Sequence, residues 1–326
     1  EARAARGHRA GDGPARRLAI ESGVVERRAL GREVGLMVRI SVALGFMALI
    51  YLVGEALFLT AAVKIALDGA YTGAVVALLF AIGIAAALVG QLLKSATLAL
   101  RATRATMLAP HQEPDLQALV ARVAAMADLP APRVARITSP QANAFAVGIS
   151  PRQAVLVVTT ELVQILDYRE QEAVVAHEIT HISNRDGSVV TFMSGPALLG
   201  SLFWRDGEHA GKALFMTLYW PIHVVSLLLT WAISRYREYV ADRGAALLTG
   251  SPEALMSTLV KITEHEPQED LRWGAAVSAL CIVSSKREQG VLDFLRRVEI
   301  FTDHPPLEKR LRELSEIARE MGRPVR

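Results

Sequence analysis

His177-Glu178-Ile179-Thr180-His181 is the stretch from which the rest of the chain is read. On a helix, residues four apart lie about 40° from each other around the axis and one turn apart along it. Both imidazoles can therefore reach one cation from the same face. Glu178 sits beside them, within reach of a water on that cation. Two ligands and a general base in this spacing are the equipment for zinc-assisted hydrolysis of a peptide bond. The flanks support a helix. Asp167 and Glu170, three apart, read as a capping pair, and Ala173, Val174, Ala176 and Ile179 carry apolar surface through the following turns. Asn184, Asp186 and Gly187 are expected to end it.

Outward from that helix, composition sets the context. A chain of 326 residues with 52% apolar and only 21% charged residues is too apolar for an ordinary soluble enzyme and points to several membrane segments. A single cysteine, Cys281, excludes an intrachain disulfide and a zinc site built from thiolates. The net charge is only +3, and much of the basic excess flanks apolar runs. Membrane topology explains that placement better than nucleic acid does, so no nucleic-acid partner is expected.

Residues 1–35 hold eight arginines against five acidic residues, with no aromatic residue among them, and read as a basic tail at the cytosolic face of a membrane. Residues 36–63 form a first apolar run of spanning length, too extended for the core of a signal peptide. Glu55 within it is placed near the far interface. Lys64, Asp68 and Gly69 make a short loop, and residues 73–93 form a second, uncharged run followed by Lys94, Arg101 and Arg104. Basic residues on both outer flanks put both ends of this hairpin inside the cell, so residues 94–187 begin in the cytosol. From Pro114 the chain reads as globular. Asp115 opens a helix carrying Leu116, Leu119, Val120 and Val123, and Val134–Ile137, Ala142–Val147 and Ala154–Thr159 are short β-rich runs that form a small sheet. Within residues 188–233, two further apolar runs contain Pro196, Pro221 and His223, with Trp204, Tyr219, Trp220 and Trp231 placed as interfacial anchors. They read as a second membrane hairpin, or alternatively as a re-entrant or partly protein-packed one; His223 is read as packed or water-facing.

A hydrolytic zinc site takes three protein ligands and one open position. Residues 234–326 return to the cytosol, and Glu238 and Asp242, four apart, share a helix face. One carboxylate can bind zinc while the other accepts a hydrogen bond from a ligating imidazole. Downstream, Ser251-Pro252-Glu253 starts a helix, Ala275–Val283 is apolar but too short to span, and residues 306–321 form a charged closing helix in which Arg310 reads as lying on a solvated face or, alternatively, as a salt-bridge partner for the site.

With these segments in hand, the chain resembles the HtpX family of membrane-bound zinc metalloproteases, and more distantly the CaaX-prenyl endopeptidases. Asn143-Ala144-Phe145-Ala146, His177 to Asp186, Arg237 to Asp242 and His304-Pro305-Pro306-Leu307 carry the resemblance, in that order, over roughly residues 36–320. It implies a mainly α membrane protein with four transmembrane helices and a cytosolic α+β zincin-like domain with a small sheet. It also implies one Zn2+ on His177, His181 and Glu238, Glu178 as general base, and Asp242 behind the ligands. His304 and Asn143 become candidates for stabilising the oxyanion, and Asn143, Ala144, Phe145 and Ala146 for binding substrate through their backbone. The expected partners are polypeptides, membrane proteins above all, and the lipid bilayer. The expected setting is the bacterial inner membrane, with both termini and the active site cytosolic, and the role is clearance of damaged or misfolded membrane proteins. The long basic tail departs from the family, so no role for it is carried over. The competing reading is a non-catalytic, zinc-binding membrane scaffold or regulator.

Overall fold

The structure is a computed structural model; it describes residues 34–67, scattered positions between 75 and 101, residues 103–193, 212–265 and 305–323. The first helix, α1 (Val34–Leu67), covers the first apolar run and continues through Lys64, which was expected in a loop. Most of the basic tail, most of 73–93, residues 194–211, Ala275–Val283, Cys281 and His304 lie outside the described residues, as do the side chains of Glu55 and His223. Among the described residues no helix is long and apolar enough to cross a membrane.

The globular part pairs a small mixed sheet with a helical layer. β1 (Thr106–Met107) precedes α2 (Pro114–Met126), and β2 (Arg133–Ile137), β3 (Ala144–Val147) and β4 (Val155–Thr159) follow. The order across the sheet is β1-β2-β4-β3: β2 and β4 run parallel, and the two outer pairings are antiparallel. All five residues of β4 are buried, as the unbroken run Val155-Leu156-Val157-Val158 requires of a strand covered on both faces. Leu156, Val158, Val134 and Ala144 join the main core with the helices, while Val155, Val157, Phe145 and Ala135 pack on the opposite face against Ala96, Ala99 and Leu100.

β4 leads directly into α3 (Thr160–Ile165), where the Thr159 hydroxyl caps the helix by accepting from Leu162 N and also ties the start of β3 by donating to Asn143 O at 3.1 Å. The central helix α4 (Tyr168–Asn184) then opens with the expected capping pair in full. Asp167 Oδ1 accepts from Arg169 N and Glu170 N, and Glu170 Oε2 accepts from Asp167 N at 2.9 Å. Every residue of α4 from Ala173 to Ile182 is buried. The helix ends at Asn184, within the stretch expected to end it, because Arg185 adopts a left-handed conformation (φ 59°), and Asp186 at once begins α5 (Asp186–Met193).

α6 (Lys212–Thr249) is a single 38-residue helix that joins the fourth apolar run to the Glu238–Asp242 face. α7 (Pro252–Glu264) and α8 (Leu307–Glu320) complete the helical layer. α1 packs on α5 and α6 through Ile40, Ala43, Met47, Val189, Ile233 and Val240, and the Arg39 guanidinium lies 4.2 Å from the centre of the Tyr236 ring.

Candidate metal centre

The site forms where α4 and α6 cross. They pack tightly at Gly244, where a Cβ would stand 2.5 Å from the Thr180 side chain. Glycine at this point lets the two backbones come close enough for side chains of α6 to reach the imidazoles of α4. His177 Nε2 and His181 Nε2 lie 3.1 Å apart, with their rings edge-on at 87°. One carboxylate oxygen of Glu238 is 3.5 Å from His177 Nε2 and the other 3.5 Å from His181 Nε2. With zinc–nitrogen bonds of about 2.0–2.1 Å, neighbouring ligand atoms of a tetrahedron stand about 3.3 Å apart. The two Nε2 atoms and the Glu238 carboxylate thus converge at about that spacing, the two 3.5 Å approaches ending on different oxygens of Glu238. Glu178 stands beside them, and both its carboxylate oxygens are buried without a hydrogen-bond partner. Two unpartnered buried oxygens beside converging imidazoles fit a bound cation and its water better than they fit an apolar core.

Each imidazole is braced from behind by a carboxylate, and each carboxylate meets an arginine. His177 Nδ1 is 3.1 Å from Asp242 Oδ1, within ion-pair range though not aligned as a hydrogen bond. Asp242 is gripped at both oxygens by Arg310, whose Nε and Nη2 donate at 2.8 and 2.6 Å, and Arg310 Nη1 reaches Glu238 at 3.6 Å. His181 Nδ1 is 2.6 Å from Asp186 Oδ2, and Arg237 Nε is 3.1 Å from the same oxygen. A carboxylate behind each ring fixes its tautomer and turns Nε2 inward.

The titration behaviour follows. Burial alone disfavours a charged His177, but Asp242 and Glu238 outweigh it and push the imidazole up to about 9. The field that attracts a proton there attracts a metal cation equally. Burial pushes the Glu178 carboxyl up, partly countered by the neighbouring His181 and His177. Burial would also raise Asp242, yet the guanidinium of Arg310 holds it below the ordinary aspartate value.

His177, Glu178, His181, Glu238 and Asp242 are thus gathered at one point, all buried. Of the stretch expected to bind substrate, Ala146 lines the cleft beside Glu178 and His181, whereas Asn143, Ala144 and Phe145 are buried and do not. Asn143 Oδ1 accepts from Ala144 N at 2.9 Å, and His304 lies outside the described residues. Arg310 takes the alternative reading, a salt-bridge partner for the site: it is 2% exposed rather than on a solvated face, because two buried carboxylates need its charge. Asp186 and Arg237 were not singled out for the site. Their nearest signals in the sequence are a carboxylate five residues after His181 and an arginine adjoining Glu238.

Comparison with known proteins agrees with this geometry. The chain is 37% identical over 312 residues to a protease HtpX homolog of Moorella thermoacetica, covering 90% of this chain and 98% of that protein. It is 35% identical over 303 residues to protease HtpX homolog 1 of Streptomyces coelicolor, covering 88% and 94%. A likeness to the crystal structure of S. mikatae Ste24p has a TM-score of 0.43 at 18% identity, covering 86% of this chain and 66% of that one. The sequence profile of Peptidase family M48 matches residues 110–318. A buried His-Glu-His cluster on one helix, inside a match of that length, means that the chain belongs to Peptidase family M48 as an HtpX-type zinc metalloendopeptidase.

Proposed function

We propose that this protease works in the bacterial inner membrane, cleaving damaged or misfolded membrane proteins at a cytosolic active site in which His177, His181 and Glu238 hold one zinc ion. The observation that carries the reading is the convergence of the two Nε2 atoms, 3.1 Å apart, on the Glu238 carboxylate, whose two oxygens each stand 3.5 Å from one of them, with the unpartnered Glu178 carboxylate alongside. Zinc held by these side chains would supply a Lewis acid to polarise the scissile carbonyl and acidify the attacking water. Glu178 takes the water's proton on a carboxylate oxygen and delivers it to the leaving amine. Its raised proton affinity suits both transfers. Asp186 and Asp242 keep the two imidazoles from turning as the substrate enters, and His304 is assigned the donor to the oxygen on which charge develops, whereas Asn143, buried off the cleft, holds the start of β3 through its side-chain oxygen.

The substrate is proposed to lie along β3. In an antiparallel ladder, successive residues alternate between exchanging hydrogen bonds with the partner strand and facing away. Thr159 N donates to Asn143 O at 3.0 Å, so Phe145 and Val147 continue the paired set, and Ala144 and Ala146 turn their backbone groups away from β4. A peptide held there by its main chain is cleaved with loose sequence specificity.

Four transmembrane segments, 36–63, 73–93 and two within 188–233, are part of this proposal. Fourteen of the eighteen exposed large apolar side chains among the described residues lie between Val38 and Leu93, a distribution that favours lipid over water around that stretch. The decisive experiment is metal analysis and casein cleavage by the purified protein beside Glu178→Gln and Glu238→Ala. The first variant should keep zinc and lose activity, and the second should lose both. Zinc-loaded parent protein that leaves casein intact would favour the scaffold reading instead.

A further inference from the structure

The two arginines behind the metal centre are not equivalent. Arg310 is saturated, with two hydrogen bonds to Asp242 and Glu238 within ion-pair range. Arg237 is equally buried, at 3% exposed, yet among the described residues its one close partner is Asp186, whose Oδ2 lies 3.1 Å from Nε without hydrogen-bond alignment, and its Nη1 is buried without a partner. A guanidinium carries five donors, and a buried donor left unmade costs far more than a made one contributes. Arg237 also lines the cleft that contains Glu178, His181 and the end of β3 from Ala146 to Gly148.

We infer that Arg237 is a substrate-binding residue whose guanidinium donates to a backbone carbonyl oxygen of the peptide beside His181. The inference rests on the proposal that a polypeptide occupies this cleft. A neutral carbonyl is chosen over an acidic side chain because Asp186 and Glu178 share the same walls, and two carboxylates repel a third. The lining also suits main chain. Ala146, Gly148, Ala154 and Gly187 carry little or no side chain, and a Cβ at Gly187 would stand 2.7 Å from Gly148 O. A peptide backbone can approach such walls closely, whereas a long side chain has little room. Through Nε, the same guanidinium holds Asp186 against His181, so a carbonyl on its other donors is bound by a group already fixed in place.

The test measures binding without turnover. Full-length, zinc-loaded Glu178→Gln protein is titrated with a fluorescent peptide and with a set of analogues in which each carbonyl oxygen in turn is replaced by sulfur, a weaker acceptor. One analogue should bind about tenfold to a hundredfold more weakly than the parent peptide, the range for losing a hydrogen bond to a charged donor. Adding Arg237→Gln should weaken the parent peptide by a similar factor and abolish the penalty at that position. Adding Asp186→Asn instead, which disturbs His181 but leaves the guanidinium, should preserve the penalty. A penalty that survives Arg237→Gln, or an analogue set with no weak member, overturns the inference. So does peptide binding that Arg237→Gln leaves unchanged. Because no cleavage is read, loss of the peptidase reading would show separately, as zinc-loaded parent protein that binds the peptide without cutting it.

Discussion

Asp242 touches both His177 and Arg310 and is 1% exposed, so its charge serves two partners at once. Replacing it by Asn keeps the shape but removes the anion that turns His177 Nε2 inward. Asp242→Asn is expected to weaken zinc binding about 10- to 100-fold, the usual loss for an outer carboxylate, measured by competition with a chromogenic chelator. Unchanged affinity would mean that the 3.1 Å approach does not orient the ring. At this scale the sequence was legible where one local period sufficed. His177 with His181, and Glu238 with Asp242, are each four apart on one helix. The pairs Asp186–Arg237 and Asp242–Arg310 join different helices, and no local pattern distinguishes an arginine that turns inward from one on a solvated face.

Gly244 and Glu170 set how α4 meets its neighbours. With Thr180 2.5 Å from where a Cβ would stand, Gly244→Ala should force α6 away from α4 and destabilise the protein by about 1–3 kcal/mol, with weaker zinc binding as Glu238 recedes. Adding Thr180→Ala should restore part of both, read by denaturant unfolding and metal competition; no recovery would place the strain elsewhere. At the other end of α4, Glu170 is held by Ser257 Oγ at 2.7 Å and Lys261 Nζ at 2.8 Å, both on α7. Burial alone would raise its carboxyl, but Lys261, Ser257 and the Asp167 amide hold it below the ordinary value. The stabilisation is therefore complete above the ordinary glutamate range and lost as pH falls through the lowered folded value. Glu170→Gln should lower stability by about 1 kcal/mol at neutral pH, and the difference from the parent should shrink on acidification, checked by urea unfolding at several pH values. The helix starts were readable because capping residues announce them. β1 was not, since two residues show no alternation, and the start of α5 at Asp186 was hidden because Asp186 and Gly187 read as the end of the preceding helix.

Over the whole molecule, the proposed ligands His177 and His181 come from α4 and Glu238 from α6, some 60 residues later, so a bound ion would cross-link the two helices that organise the core. Stripping the metal with phenanthroline should lower the melting temperature reversibly, by more than it does in Glu238→Ala, and added zinc should restore it. Equal melting with and without metal would mean that the centre forms without the ion's help. The order of segments along the chain was enough to anticipate a sheet, a metal helix and a returning acid. The contact of α1 with α6 was not foreseeable, because apolar runs do not say which neighbour they choose. α6 continues through Pro221 and spans about 57 Å at 1.5 Å per residue, so one end of a single rod carries Glu238 while the other belongs to the proposed fourth span. A rod tilts as a unit. The thickness of the surrounding lipid, which sets the angle at which such a rod lies, thereby becomes a variable of the metal's coordination, and acyl-chain length a means of tuning proteolysis without touching a single active-site atom.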